Sequence, residues 1–366
     1  MFTKTRVGLL FGGRSAEHEV SLQSARNVID AIDKEKYEIV LIGLDKSGRW
    51  WLNDTSKFLL NSGDPKLIKL AAASDAVTLA PQSGGKLSSL SGSLYDATVD
   101  VVFPILHGPY GEDGTVQGLL KLANVPFVGA GVLGSSVGMD KDVMKRLLRD
   151  AGLPIGKFTV IRASDDVPGY ADISKELGST LFVKPANLGS SVGVSKVSNT
   201  DDYDAAVHKA FCYDRKILVE EFIQGREIEC SVLGNEDPIA SVPGEVLPSH
   251  EFYSYEAKYI DEQGAALKIP ADLSEQISEK VRHLAKKTFE ILCCEGLARV
   301  DFFIQDDQKV IVNEINTIPG FTAISMYPRL WQKSGISYTS LIDRLLQLAM
   351  ERFEREQNLK TTFEED

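Results

Sequence analysis

The sequence is short of cysteine. Cys212, Cys230, Cys293 and Cys294 are the only four in 366 residues. None forms a CxxC pair and no CxxC…HxxxH spacing occurs, which excludes a disulfide framework and a structural zinc site. Adjacent Cys293 and Cys294, at an expected helix end, read as buried reduced thiols. Long apolar runs are also missing. Val7 to Phe11 is too short for a signal-peptide core, and nothing else approaches the roughly 20 apolar residues of a membrane span. The expected compartment is therefore the cytoplasm, with no membrane partner. Positive charge is scarce as well: the formal net charge is -12, which disfavours nucleic acid as a partner. No GxxxxGK[ST] occurs, and the first glycine turn, Gly12-Gly-Arg-Ser-Ala-Glu17, is not GxGxxG.

What is present is a clear order of periodic segments. Val7 to Phe11 ends at glycine and reads as a buried strand. Over Ser21 to Ile32 the apolar residues Leu22, Ala25, Val28, Ile29 and Ile32 recur at helical spacing. Tyr37 to Gly43 reads as a second strand. Strand, helix, strand implies a parallel, Rossmann-like α/β unit. Residues 61–92, rich in Ser, Gly, Ala and Lys, show no period and are expected to be an insertion or loop with some helix. Val99 to Leu106 is a further buried strand ending at His107-Gly108. A first α/β domain is thus expected over 1–135.

An α+β unit is expected over 136–224. It holds a helix from Asp140 to Ala151, stopped by Gly152 and Pro154, strands at Thr180 to Lys184 and Val192 to Val197, a helix from Asp201 to Phe211, and a strand from Lys216 to Glu221. The third unit, 225–366, holds strands at Glu227 to Leu233, Ala298 to Ile304 and Val310 to Asn316, and helices at Leu273 to Leu292 and Tyr338 to Arg355.

Ala298 to Ile304 and Val310 to Asn316 form an expected β-hairpin. A turn centred between Asp307 and Gln308 puts Asp301 opposite Glu314 and Arg299 opposite Asn316, all on one face, because strand side chains alternate. Opposed carboxylates repel, and a hard dication with oxygen ligands would neutralise them; the bland alternatives are a solvated pair on an open sheet face or a carboxyl group held protonated. The other face, with Val300, Phe302, Ile304, Ile311 and Ile315, is expected to be core. After Asn316, Gly320 follows Pro319 and can expose its backbone N–H as an oxyanion donor, although by itself it reads as a plain turn.

Lys184-Pro185 leads into Ala-Asn-Leu-Gly-Ser-Ser-Val-Gly193. Such a turn lets N–H groups and hydroxyls close on phosphate oxygens, with Lys184 as a point charge at its base. In isolation it reads as an ordinary hairpin. The strand ending at Glu220 and Glu221 runs into a connector, Phe222-Ile223, that could meet an adenine edge, and Glu227 could take ribose hydroxyls.

The set Gly12–Ser21, His107-Gly-Pro-Tyr-Gly-Glu-Asp-Gly114, Met139-Asp-Lys141, Lys184-Pro…Gly-Ser-Ser-Val-Gly193, Tyr255-Glu-Ala-Lys-Tyr259, Arg299-Val-Asp301 and Asn313-Glu-Ile-Asn-Thr-Ile-Pro-Gly-Phe-Thr322 resembles the D-alanine-D-alanine ligase family over nearly the whole chain. The resemblance implies an N-terminal α/β domain followed by a two-subdomain ATP-grasp fold. It implies ATP-dependent joining of two D-alanine molecules through a D-alanyl phosphate, for peptidoglycan precursor synthesis, with two magnesium or manganese ions. Homodimers are common in the family. Lys141, Lys184 and Ser191 would meet ATP phosphates; Glu220, Glu221, Phe222, Ile223 and Glu227 would hold adenine and ribose. Asp301, Glu314 and Asn316 would bind the metals. Glu17, linked to Ser190 and Tyr259, would take the first ammonium. Lys258 would neutralise the phosphate in transfer, and Arg299 and Gly320 the oxyanion. His107, Ser325 and Met326 would line the amino-acid pocket. A lid is expected from about His250 to Gly264. The rivals are a D-alanyl-D-lactate or D-alanyl-D-serine ligase of the same fold, against which Tyr259 stands, another ATP-grasp ligase, and a non-catalytic nucleotide-binding regulator.

Overall fold

The computed structural model describes residues 3–53, 58–61, 68–71, 75–90, 92, 97–248 and 265–360. The fold is mixed α/β, built on three main sheets. In the first, Thr5–Gly12 lies between the parallel strands Tyr37–Leu44 and Val101–Ile105, and Trp50–Asn53, Asp75–Leu79 and Leu87–Ser89 extend the edge antiparallel. Alternation gives this sheet two cores. Val7, Leu9 and Phe11 point to one; Leu10, with Val40 and Ile42, points to the other. Gly12 ends the first strand at φ 92, and a Cβ there would lie 2.2 Å from the Leu44 carbonyl oxygen. Only glycine turns the chain so tightly at this point. The 61–92 expectation is corrected here. Its described residues hold the short strands Lys69–Leu70, Asp75–Leu79 and Leu87–Ser89 rather than helix. Val77, Leu79 and Leu87 are buried there against a sheet edge, which local period does not announce.

The second sheet is antiparallel, in the order Ser195–Val197, Leu181–Pro185, Lys216–Glu221, Phe158–Arg162. The strand expected from Val192 starts only at Ser195, after the left-handed residues Ser190, Ser191 and Gly193. One face of this sheet, with Leu181, Val183, Ile217 and Val219, packs on the helices Tyr170–Leu177 and Thr200–Phe211. The other face carries Phe182, Lys184 and Glu220.

The third sheet orders Ala265–Lys268, Gly244–Pro248, Arg226–Gly234, Gly296–Gln305 and Lys309–Asn316, with Ile239–Ala240 paired to Arg226–Gly234. The helix Glu275–Ile291 covers it through Ile277, Val281, Ala285 and Phe289, a four-residue repeat that makes one apolar stripe. In the hairpin, Asp301 pairs with Glu314 and Arg299 with Asn316, as expected. The route differs. Gln305 pairs with Lys309, so the turn centres one half-step earlier, and a bulge at Asn313 restores the register between Phe302–Val312 and Asp301–Glu314. Ile311 therefore faces Phe303, on the side opposite the core, while Val310 and Val312 take the core places. All four cysteines are free; of the two just past the helix end at Ile291, Cys294 is buried, but Cys293 is exposed, in a left-handed conformation.

The chain then returns to its start. Phe321, Tyr327 and Trp331, with Leu341, Ile342, Leu345 and Leu346 of the helix Tyr338–Gln357, share a core with Val7, Leu9, Phe11, Phe103 and Ile105. This packing holds the 316–326 segment against the first sheet.

The helix Lys141–Asp150 is set by Asp140. Its side chain caps Asp142 N–H and Val143 N–H at 3.1 Å and accepts from Lys216 Nζ at 2.6 and 2.7 Å. Asp140→Ala is expected to lower the unfolding free energy by about 1–2 kcal/mol, a cap plus a largely buried ion pair. A chemical denaturation midpoint equal to that of the unaltered chain would refute this role.

Candidate active site

A cleft of about 300 Å³ lies between the second and third sheets. It is lined by Lys141, Lys184, Ser190, Ser191, Glu220, Glu221, Phe222, Ile223, Glu227, Asp301 and Glu314, all singled out in the sequence, and by Lys145, Phe182, Glu229, Phe303 and Asn313, which were not.

One wall follows from strand register. Glu229, Asp301 and Glu314 form a row across three neighbouring strands. The sequence pairs two of these acids; the third comes from a strand some 70 residues away, which is why local reading missed it. Arg299 offsets the repulsion. Its Nε and Nη2 donate to both oxygens of Asp301 at 2.7 and 2.8 Å, and Nε lies 2.9 Å from Glu229. Such a forked pair is the strong form of an ionic hydrogen bond. Asn316 Nδ2 donates to Asp301 at 3.0 Å, and Lys141 Nζ lies 3.7 Å from Glu314. The charge neutralisation that the hairpin demanded is thus met by side-chain cations here. The donor set still fits magnesium: two carboxylates and a carboxamide are hard oxygen ligands, and Mg²⁺ completes its shell with phosphate and water. Among the described residues no group of three or more His, Cys, Asp or Glu side chains forms a ready cage.

The opposite wall is cationic and aromatic. Lys184 and Phe182 share a face of the second sheet, and Glu220 stands opposite Phe182 on one side and Phe158 on the other. Lys184 Nζ is 2.6 Å from Glu220, and Lys145 Nζ is 3.2 Å from its other oxygen. Burial alone would push the Glu220 carboxyl up, but Lys145 and Lys184 outweigh it and hold it below the usual range. The Phe182 and Phe222 rings lie 6.0 Å apart, and Lys196 Nζ sits 4.8 Å over Phe222. Glu221 accepts from Lys157 N–H at 2.7 Å. Lys141 Nζ donates to the Leu188 carbonyl at 2.7 Å, tying the helix to the Gly189–Gly193 turn.

That turn reaches the first domain. Ser190 Oγ donates to Glu17, whose carboxylate also lies beside Gly108 and Gly189. His107 is buried. Its Nδ1 contacts the Ile318 carbonyl at 2.9 Å; a carbonyl only accepts, so Nδ1 carries the proton and Nε2, which has no hydrogen-bond partner among the described residues, offers a lone pair. Burial pushes this imidazole down, against the pull of Glu17. Ser325 Oγ contacts Thr322 Oγ1 at 2.7 Å and accepts from Thr322 N–H at 3.1 Å; Gly320 lies beside it. The Met326 side chain packs with Val246 and Leu330, among aliphatic groups rather than with the polar groups of the site. Lys258, Tyr259 and the expected lid lie outside the described residues.

Glu112 was part of a quoted motif but carried no role. Its two oxygens accept from Gly108 N–H at 2.6 Å and Ile318 N–H at 3.1 Å, so it braces the His107 loop against the 318 segment. Burial and the nearby Glu17 push its carboxyl up to about 8, against the two N–H donors and Arg299. A carboxyl raised on folding stabilises fully below its unfolded range, near 4.5, and loses that contribution as pH rises through about 8. Glu112→Gln keeps the shape of the neutral acid without titrating. Its melting temperature, relative to that of the unaltered chain, is expected to rise between pH 5 and 8.5; a pH-independent difference would refute the assignment.

Two family models match the chain: "D-ala D-ala ligase N-terminus" over residues 6–130 and "D-ala D-ala ligase C-terminus" over 147–347. A protein of Oceanobacillus iheyensis named D-alanine–D-alanine ligase is 54% identical over 362 residues, covering 98% of this chain and 99% of that one. Two solved structures resemble the fold over 97% and 95% of this chain and 96% and 100% of theirs. They are the D-alanine-D-alanine ligase of Coxiella burnetii, at 39% identity and TM-score 0.84, and the VanG D-Ala:D-Ser ligase of Enterococcus faecalis, at 34% and 0.82. The fold is thus the ATP-grasp fold, and the chain belongs to the D-Ala-D-Ala ligase family.

Proposed function

We propose that this chain joins two D-alanine molecules into D-alanyl-D-alanine at the expense of ATP, supplying a peptidoglycan precursor in the cytoplasm. The observation that carries the reading is the Ser190–Glu17 contact. It joins a phosphate-binding turn that lines the cleft to a first-domain carboxylate suited to an amino-acid ammonium. The 54% identical relative is named D-alanine–D-alanine ligase, which favours a D-alanine acceptor over D-serine or D-lactate. Residues 1–135 serve as the N-terminal substrate domain, 136–224 as the central ATP-grasp subdomain and 225–366 as the catalytic one, and the working unit is a homodimer.

The roles follow from chemistry. A carboxylate is a poor electrophile, so the first D-alanine is phosphorylated, releasing ADP. Lys141, Lys184 and the Ser191 turn hold the phosphates, and Glu220, Glu221, Phe222, Ile223 and Glu227 hold adenosine. Asp301, Glu314 and Asn316 would hold two Mg²⁺ or Mn²⁺ ions, which supply charge neutralisation at the phosphoryl group. Glu17 takes the ammonium, and His107 Nε2 accepts a hydrogen bond beside it. Ser325 receives the second carboxylate, with Met326 contributing through its main chain. When the second amine attacks, Arg299 and Gly320 N–H stabilise the oxyanion, and phosphate leaves. Lys258 and Tyr259 act from a lid that protects the acyl phosphate from water.

Glu314→Gln is expected to stay folded and to lose at least about a hundredfold in kcat, the scale of one electrostatic group at a transition state. Near-normal turnover would sink the metal assignment. ADP and phosphate release should require D-alanine; equal release with L-alanine would contradict the substrate.

A further inference from the structure

Lys145 follows Lys141 by one helical turn and has 2% of its side chain exposed. Glu220 is shared between Lys145, 3.2 Å from one oxygen, and Lys184, 2.6 Å from the other. With all three ionised the cluster carries one surplus positive charge, a poor resting state for a buried site unless an anion is to arrive. The two lysines differ in freedom. Lys184 borders the Gly189 turn, where phosphates would lie. Lys145 is enclosed behind Glu220, its ammonium 5.7 Å from the Phe158 ring centre. Only Lys184 is placed to exchange its carboxylate for phosphate. That exchange frees one oxygen of Glu220 between Phe158, Phe182 and the Phe222 connector, where a planar base would sit.

We propose that Lys145 is a positioning residue for nucleotide choice: it remains the fixed counter-ion of Glu220 when Lys184 moves to phosphate. The carboxylate then stays ionised and aimed to accept the exocyclic amino group of adenine. Removing an isolated cation from a buried pair leaves the acid costly to ionise, so the effect should fall on the amino group and not on phosphate or amino-acid binding.

The inference rests on the ATP-dependent reading above, and the test separates the two. Steady-state kinetics with saturating D-alanine are compared for ATP and for purine riboside triphosphate, the same nucleotide without its amino group. The unaltered chain is expected to prefer ATP by about tenfold in KM, the scale of a hydrogen bond to a charged group. Lys145→Met, close in shape and neutral, should raise KM for ATP about tenfold. KM for the purine nucleotide and for D-alanine should stay within about twofold. Glu220→Gln should lose the same preference, and the double variant should lose no more. Thermal unfolding checks that each variant is folded; if the methionine variant is not, Lys145→Gln is read in the same way. An equal rise for both nucleotides, or a retained preference for ATP, overturns the role of Lys145 while leaving the ligase reading intact. No D-alanine-dependent ADP release from the unaltered chain overturns both.

Discussion

The site depends on keeping like charges together in a half-buried wall. Glu229, Asp301 and Glu314 stand in one row because three strands pair in a register that puts them there. Such a row is unfavourable unless cations meet it. Arg299 spans two of the acids, and Lys141 approaches the third. The opposite wall has the inverse problem, two lysines on one glutamate. Each wall is an imbalance held by the surrounding sheets, and the proposed metal–nucleotide complex, cationic at the metal and anionic along its phosphates, would be complementary to both.

Elementary sheet geometry does most of the construction. In the central sheet the odd positions 181, 183, 217 and 219 are aliphatic and buried on helices, while Phe182, Lys184 and Glu220 face the cleft. In the third sheet Val300, Phe302 and Ile304 face the helix Glu275–Ile291, and Arg299, Asp301 and Phe303 face the other way. The bulge at Asn313 then decides which residues of the last strand join which face. The first domain contributes Glu17, His107 and Glu112 through loops at the ends of parallel strands, where open α/β sheets present their polar groups. The C-terminal helices, sharing a core with the first strands, hold Ile318 and Ser325 beside them.

Much of this was legible in the residue order, because strand and helix periods are local. The parallel unit at the start, the helix after Asp140 and the Asp301–Glu314 pairing all came from spacing, and the ordered motifs pointed to the family. The pairing came out right although the turn was misplaced, since the Asn313 bulge made up the missing step. Stretch 61–92 was misread because its strands are short and are stabilised by a sheet edge rather than by their own pattern.

Local periodicity and motif chemistry determined the element types, the family and the identity of most cleft residues. The tertiary structure alone decided the third acid of the row, the pairing of Lys145 and Lys184 on Glu220, the raised carboxyl of Glu112 and the return of the last helix to the first sheet. Each of these rests on contacts between residues far apart in the chain. Burial and charge pairing become defined only when distant strands and helices share one low-dielectric space.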